Sequence, residues 1–471
     1  MTEPAAENAA ETAATSSRPP RLGDIPEFVE YMGKGWDVPD RVPPVIAGAV
    51  AAAAGHRARL AAEFPGKTIV VAAGQAPVRS NDTSYGFRPH SDFAWLTGCT
   101  SVEGAVVALS GDSAVLYLPP PAYPGEKGFF TDAMHGELWV GAAPGLGEWS
   151  RALGIEVRPL SALDEDFLVP EKPLLGGAAL AGPFSGRAAD DKLTEILSDL
   201  RMIKDDWEIA QLRAAVNHTV EGFAATVREF GAAIERGGER WLQGTFDRYA
   251  RTVGNGPGYA SIVGSGRHAA TLHWVRCDGP VGADEAVLLD MGVEENSLYT
   301  ADVTRTFPAS GTFSPAQRQV HDLVEKAHRA GLAAVGPGRT FTDFHYASMD
   351  VIARGLHDWG LLPVSVDEAL SPAGQQHRRY IVCGVGHHLG LDVHDCPKSG
   401  IPSYYDRALA PGMVLTVEPG LYFHVHDLTV PPELRGIGVR IEDDLLVTAD
   451  GADVLSGELP LTADGLEEWM R

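Results

Sequence analysis

Four carboxylates and one imidazole, Asp290, Asp302, Glu418, Glu442 and His387, sit in or at the ends of hydrophobic or alternating runs. An ionised side chain is unwelcome in such runs, because burying a carboxylate is costly unless it is paired or bound to a metal ion. A chain that carries four of them is best served by a fold in which they meet. That requirement predicts a site for two divalent cations and, with it, a hydrolase.

Period-two alternation decides which side chains share a face of a strand. In LYTADVTRTF, Thr300, Asp302, Thr304 and Thr306 point one way, and Ala301, Val303 and Arg305 the other. The same count puts Glu418 opposite Leu415 and Val417, and Glu442 opposite Val439 and Ile441. Asp290 ends the apolar strand AVLLD, and a short hairpin would return Asp302 beside it. Carboxylates this close repel, and one of them would normally take up a proton. Divalent cations remove that penalty, and carboxylate with imidazole suits manganese, cobalt, iron or zinc better than calcium. Two such ions about 3.5–4 Å apart can share a water, lower its pKa and hold the attacked carbonyl. Taken singly, each Asp reads as a turn or cap residue and each Glu as a solvated strand end; their coincidence is the argument.

A chain of 471 residues exceeds one ordinary core, so two domains are expected. The net charge of −25 argues against a nucleic-acid partner, which requires a basic face. Four scattered cysteines without metal-ligand spacing suit a reducing compartment. Residues 1–20 lack the basic and apolar regions of a secretory signal, and their Ala/Glu/Thr/Ser/Pro bias reads as a disordered tail. No apolar run is long enough to span a bilayer, so the expected compartment is the cytoplasm and no membrane partner is expected.

Helix and strand signals alternate from residue 43 to about 185, through KTIVVAAG, strands at 104–109 and 114–118, and LGEWSRALG before EVRPL. This predicts a tail and lead-in over 1–40 and an α/β domain over 41–190, with a Gly/Pro-rich boundary at 170–188. Residues 190–231 read as helical, and helices follow at 315–334, after the cap Ser314, and at 341–359. AVLLDMG, LYTADVTRTF, RYIVCGVG, MVLTVEPG and GIGVRIEDDLLV read as strands without a regular βαβ beat, predicting an α+β unit over 191–471. No glycine loop leads from a strand into a helix, and no GxSxG elbow is present, so dinucleotide and serine-hydrolase readings fall away.

The segments LLDMG…ADVTRTF, GVGHHLGLDVHD, MVLTVEPGLY and GIGVRIEDD resemble the Xaa-Pro aminopeptidases (aminopeptidase P). These belong to the prolidase and methionine aminopeptidase superfamily, whose catalytic domain has the pita-bread fold. YASIVGSG…TLHW, RMIKDDWEIAQLR and SNDTSYGFRPHSDFAWLTG extend the resemblance over nearly the whole chain beyond the first ~40 residues. The resemblance implies an α/β N-terminal domain, a pita-bread catalytic domain and two metal ions, with Mn2+ expected ahead of Co2+ or Zn2+. Asp290 would chelate one metal, Asp302 and Glu442 would bridge both, and His387 and Glu418 would complete the other. A hydroxide bridging the metals would be the nucleophile, and Glu418 would carry its proton to the leaving proline nitrogen. His273 and His394 match histidines that contact substrate, and Arg440 would support the site electrostatically. Asp82 and Trp139 match positions that reach a neighbouring subunit's active site, implying a homo-oligomer, a dimer or a tetramer.

Two departures stand out. The interval from Asp290 to Asp302 is one residue longer than in the bacterial pattern, which a longer turn absorbs. Cys383 stands where the motif HGxxHxxG has its first histidine, which shapes the proline side of the cleft. A neutral thiol there is expected to line the pocket rather than react. The expected activity is hydrolysis of an N-terminal Xaa-Pro bond. The alternatives are a prolidase limited to X-Pro dipeptides, and a metal-free creatinase-like or binding protein on the same fold.

Overall fold

The computed structural model describes residues 19–163, 174–176 and 190–471. Residues 1–18 of the tail expected over 1–20, and most of the 170–188 boundary, therefore lie outside the described residues. The lead-in is not featureless, since Pro26–Met32 forms a helix with proline at its first turn.

In the N-terminal part a five-stranded mixed sheet runs in the order Glu156–Pro159, Ser113–Leu118, Val106–Ser110, Thr68–Ala72, Leu174–Gly176. Ile69 and Val71 pack with Leu60, Phe93 and Trp149 of the helices on one face, while Val70 and Ala72 pack with Tyr117 and Leu163 on the other. This sheet, buried on both faces, matches the expected α/β domain.

The C-terminal part is built on two antiparallel three-stranded sheets. One comprises Ile262–Ser265, Ala286–Met291 and Val303–Pro308; the other comprises Val414–Val417, Asp443–Val447 and Ala452–Val454. In the first, Val287, Leu289, Val303 and Phe307 pack outward on Phe223 and Phe246 of the Asp206–Val227 and Gly238–Val253 helices. In the second, Leu415, Val417 and Leu445 pack on Val324 and Phe344 of the Pro315–Ala333 and Phe341–Asp358 helices. Helices thus cover the outer faces, and the polar alternates face inward. Ser314 caps its helix as expected, its hydroxyl accepting from Gln317 N.

Two expected strands are corrected, and residues 190–231, expected to be helical, form two helices, Asp191–Met202 and Asp206–Val227, with a short break between them. Between them Ile203 bridges to Met413 and Lys204 N donates to Gly412 O at 2.9 Å, so the chain pauses to extend a sheet edge. Asp205 then restarts the helix through a reciprocal capping box with Glu208. RYIVCGVG is not a strand. The Arg378 guanidinium takes the carbonyls of Ile381, Val382 and Cys383, which a neighbouring strand would otherwise use. GIGVRIEDDLLV divides into Gly438–Arg440 and Asp443–Val447, which pair with different strands. The partner segment breaks at the same level, at Pro419, which has no N–H for the ladder.

Arg305 is fully buried and joins the two sheets. It donates to Asp443 Oδ1 at 2.7 Å, to the main-chain oxygen of Glu442 at 2.7 Å and to Pro460 O at 3.0 Å. Although burial opposes its charge, Asp443 is held well below the usual carboxylate range by Arg305 and His328. That stabilisation is present above the unfolded carboxylate pKa and is lost as pH falls towards the folded value. Arg305→Met would leave Asp443 buried without its cation, so urea unfolding near neutral pH is expected to show a loss of roughly 3–5 kcal/mol. A loss below about 1 kcal/mol would show that the pair does not hold the sheets together.

Candidate metal centre

The inward alternates converge between the two sheets. Asp290 lies opposite Thr304 in the ladder, and Asp302 precedes that strand by one residue, so the two aspartates meet diagonally rather than face to face. Thr304 also bridges to Glu442, which brings the end of the Gly438–Arg440 strand over the aspartates. On the far side, Thr416 N donates to His387 O and Glu418 N donates to Val385 O, fixing the imidazole beside Glu418. All five residues line one cleft of about 600 Å3, among them the three carboxylates whose strand faces were read from alternation, Asp302, Glu418 and Glu442.

Ligand-capable atoms of Asp290, Asp302 and Glu442 lie within 4.8 Å of one another, and so do those of His387, Glu418 and Glu442. Asp302 joins His387 and His394 in a third such group. His387 Nδ1 lies 3.1 Å from His388 O, so the Nδ1–H tautomer leaves Nε2 free towards the acids. Nε2 is 3.2 Å from Asp302, 3.6 Å from Glu418 and 4.0 Å from Glu442.

The electrostatics are those of crowded anions. Burial and the Asp302, Glu418 and Asp290 charges push Glu442 far above the carboxylate range. Burial carries Glu418 to about 7 against the pull of His387 and Arg440, and burial also raises Asp290. His387 rises to about 9 despite its burial, through its bond to Asp302 and the Glu418 charge. Glu442 Oε1 is buried without a hydrogen-bond partner. A divalent cation among these oxygens supplies that partner and removes the repulsion, and three oxygens with one imidazole form a suitable donor set. The residues fit a metal.

The surrounding contacts fix the acids. Arg440 donates to Asp290 through Nη2, to Thr304 Oγ1 at 3.1 Å through Nε and to Tyr422 OH at 2.9 Å through Nη1. Tyr259 OH donates to Asp290 at 2.6 Å, and Thr304 Oγ1 donates to Glu442 at 2.7 Å. Asp444 accepts from Asp302 N at 3.1 Å. Tyr259, Thr304, Tyr422 and Asp444 were not singled out in the sequence. Thr304 alone left a signal, since it shares the strand face of Asp302.

Residues 210–449 match metallopeptidase family M24, and residues 53–170 match the aminopeptidase P N-terminal domain. Xaa-Pro aminopeptidase 1 of Streptomyces coelicolor is 46% identical over 458 residues, covering 94% of this chain and 92% of its own length. The chain belongs to metallopeptidase family M24, among the Xaa-Pro aminopeptidases. Pseudomonas aeruginosa aminopeptidase PepP superposes with a TM-score of 0.79 at 29% identity, covering 91% of this chain and 98% of its own. Escherichia coli aminopeptidase P with the inhibitor Pro-Leu gives a TM-score of 0.78 at 27% identity, covering 89% and 98%. The N-terminal α/β domain and pita-bread catalytic domain are those of this family.

His273 and His394 line the cleft of this M24 chain from separate loops, with the His394 ring 4.3 Å from that of His387. Cys383 lines the same cleft. Asp82 and Trp139 do not line it. Trp139 is 60% exposed, with its indole N–H on Phe130 O, and Asp82 lies on an exposed turn. Burial and the Glu418 charge push the Cys383 thiol up to about 11. Iodoacetamide at neutral pH is therefore expected to alkylate it roughly a hundredfold more slowly than a free cysteine, read by mass spectrometry. Alkylation at the free-thiol rate would mean a thiolate stands in the cleft.

Proposed function

We propose that this M24 protein removes an N-terminal residue that precedes proline, using two divalent cations held by the five inward residues. The reading is carried by the two overlapping groups, Asp290/Asp302/Glu442 and His387/Glu418/Glu442, inside a cleft large enough for a short peptide. Asp290, with Asp302 and Glu442 within reach, would hold one ion, and His387 and Glu418, with the same two acids within reach, would hold the other. Mn2+ is the proposed ion, since carboxylates outnumber imidazole. When bound, such ions lower the pKa of a water and polarise the attacked carbonyl.

The protein side chains do the rest. Glu418 accepts a proton from the attacking water and returns it to the leaving nitrogen. That return is required because the amide nitrogen leaves as a neutral amine only once it has gained a proton. His273 and His394 face the cleft from two sides and donate to the carbonyl oxygen as charge develops there. Arg440 and Tyr259 keep Asp290 charged and aimed at its ion. Cys383, smaller and neutral, lines the side of the cleft proposed to receive the proline ring.

The proposed domain division falls near residue 190, where the Asp191–Met202 helix begins. Among the described residues no helix is long and apolar enough to cross a membrane, and all four cysteines are unpaired, which supports a cytoplasmic setting. Homo-oligomerisation is proposed through Asp82 and Trp139, both of them exposed.

The test compares Mn- or Co-loaded protein on Arg-Pro-Pro and on Gly-Pro, with Glu418→Ala in parallel. Cleavage of the tripeptide is expected, with kcat falling about 10²–10⁴-fold in the variant. Activity on the dipeptide alone would make the protein a prolidase. Metal-free protein that Mn2+ neither activates nor stabilises would sink the metallopeptidase reading. Saturating Mn2+ is expected to add about 2.7 kcal/mol at a hundred times its dissociation constant, read as a rise in Tm over protein in EDTA.

A further inference from the structure

Two family-like motifs, FRPHSDFAW and RMIKDDWE, contribute no residue to the cleft. They meet behind the loop that carries His394. Arg201, in the last turn of the Asp191–Met202 helix, is 5% exposed. Its Nη1 donates to Asp92 Oδ1 at 2.8 Å, and its Nη2 to Asp392 Oδ2 at 2.7 Å and Asp395 Oδ1 at 2.5 Å. Lys204, also buried, donates to the other oxygen of Asp395 at 3.2 Å, and Ser91 Oγ donates to Asp392 Oδ1 at 2.5 Å.

Asp92 and Ser91 belong to the Ser91–Thr97 helix of the N-terminal part. Asp392 and Asp395 bracket His394 in the sequence, and no helix or strand spans 390–396. Asp395 N closes the loop on His388 O at 2.8 Å, and a Cβ at Gly390 would collide with the Asp395 carboxylate. A clasp serving only to dock the two parts needs one carboxylate on the far side. Here two are used, and they grip the loop on either side of the histidine. A guanidinium suits this because its planar fork presents several donors in fixed directions.

We propose that Arg201 is a positioning residue for His394. Through it, the N-terminal domain sets where that imidazole stands over the metal cleft. The inference rests on the peptidase reading for what His394 does, but not for how it is held. Arg201→Lys keeps the charge and loses the fork, since one ammonium cannot reach Asp92 and both loop carboxylates.

The experiment is a double-mutant cycle with His394→Ala on Mn-loaded protein, paired with backbone hydrogen exchange on both backgrounds. Arg201→Lys is expected to lower kcat/KM for Arg-Pro-Pro by about ten- to a hundredfold, with metal content unchanged. In the His394→Ala background the same change is expected to cost less than about threefold. Exchange over 387–396 is expected to speed at least about tenfold while the Pro315–Ala333 and Phe341–Asp358 helices keep their rates. Equal losses in both backgrounds, or faster exchange everywhere, would overturn the proposal and leave Arg201 a general stabiliser. Unchanged kinetics and exchange would overturn it outright. Asp392→Asn, on a half-exposed carboxylate, repeats the cycle if Arg201→Lys does not fold. Wild-type protein inactive on every peptide defeats the peptidase reading instead, and the exchange pattern then decides for or against Arg201.

Discussion

Four carboxylates held within a few ångströms of each other, out of water, are the constraint on which the rest of this structure depends. Without a cation the arrangement opposes folding: burial and the neighbouring charges raise Glu442 well above the ordinary carboxylate range, and one of its oxygens is buried without a hydrogen-bond partner. The fold therefore has to hold the acids together by other means. Two sheets do so by presenting their polar alternates to each other while helices cover the outer faces. Three of the acids have their own restraints, Arg440 and Tyr259 on Asp290, Asp444 on the main chain of Asp302, and Thr304 on Glu442, and the main chain of Glu418 is held by Val385 O.

Behind the acids stand two buried cations with different duties. Arg305 ties the strands themselves, grasping Asp443 and the main chain of Glu442 in one span. Arg201 ties a loop, gripping the chain around His394 and anchoring it to the N-terminal helix. Removing either cation strands carboxylates in the interior, so each costs more to lose than a surface pair would. Of the five inward residues Asp290 lies within a strand, whereas His394 comes from a loop whose flanking carboxylates are held by ion pairs.

How much was legible beforehand follows from range. Asp302, Glu418 and Glu442 could be placed on faces because a strand has a strict period of two, and the structure keeps those faces. The Ser314 cap was readable because it acts within three residues. The break at Ile203–Asp205 was not readable because it depends on a distant partner, Gly412, and the loss of a strand at RYIVCGVG because it depends on which way the nearby Arg378 side chain folds, which no periodicity records. Tyr259, Tyr422 and Asp444 escaped because nothing local marks a residue whose role is to touch one of these acids, or the arginine that holds one, elsewhere in the chain.

By itself the sequence determined which residues are too polar for their surroundings, which strand face each occupies, and the family its motifs resemble. Those properties are carried by neighbours within a few positions. Only the tertiary structure decided that the aspartates meet diagonally, that Glu442 is the acid common to both groups, and that Asp92 and Arg201 reach the His394 loop. The physical reason is that charge–charge and hydrogen-bond energies depend on distance in space, and residues some 150 to 300 positions apart along the chain, as Asp290 and Arg440 or Asp92 and Asp392 are, become neighbours only once the sheets and helices have packed.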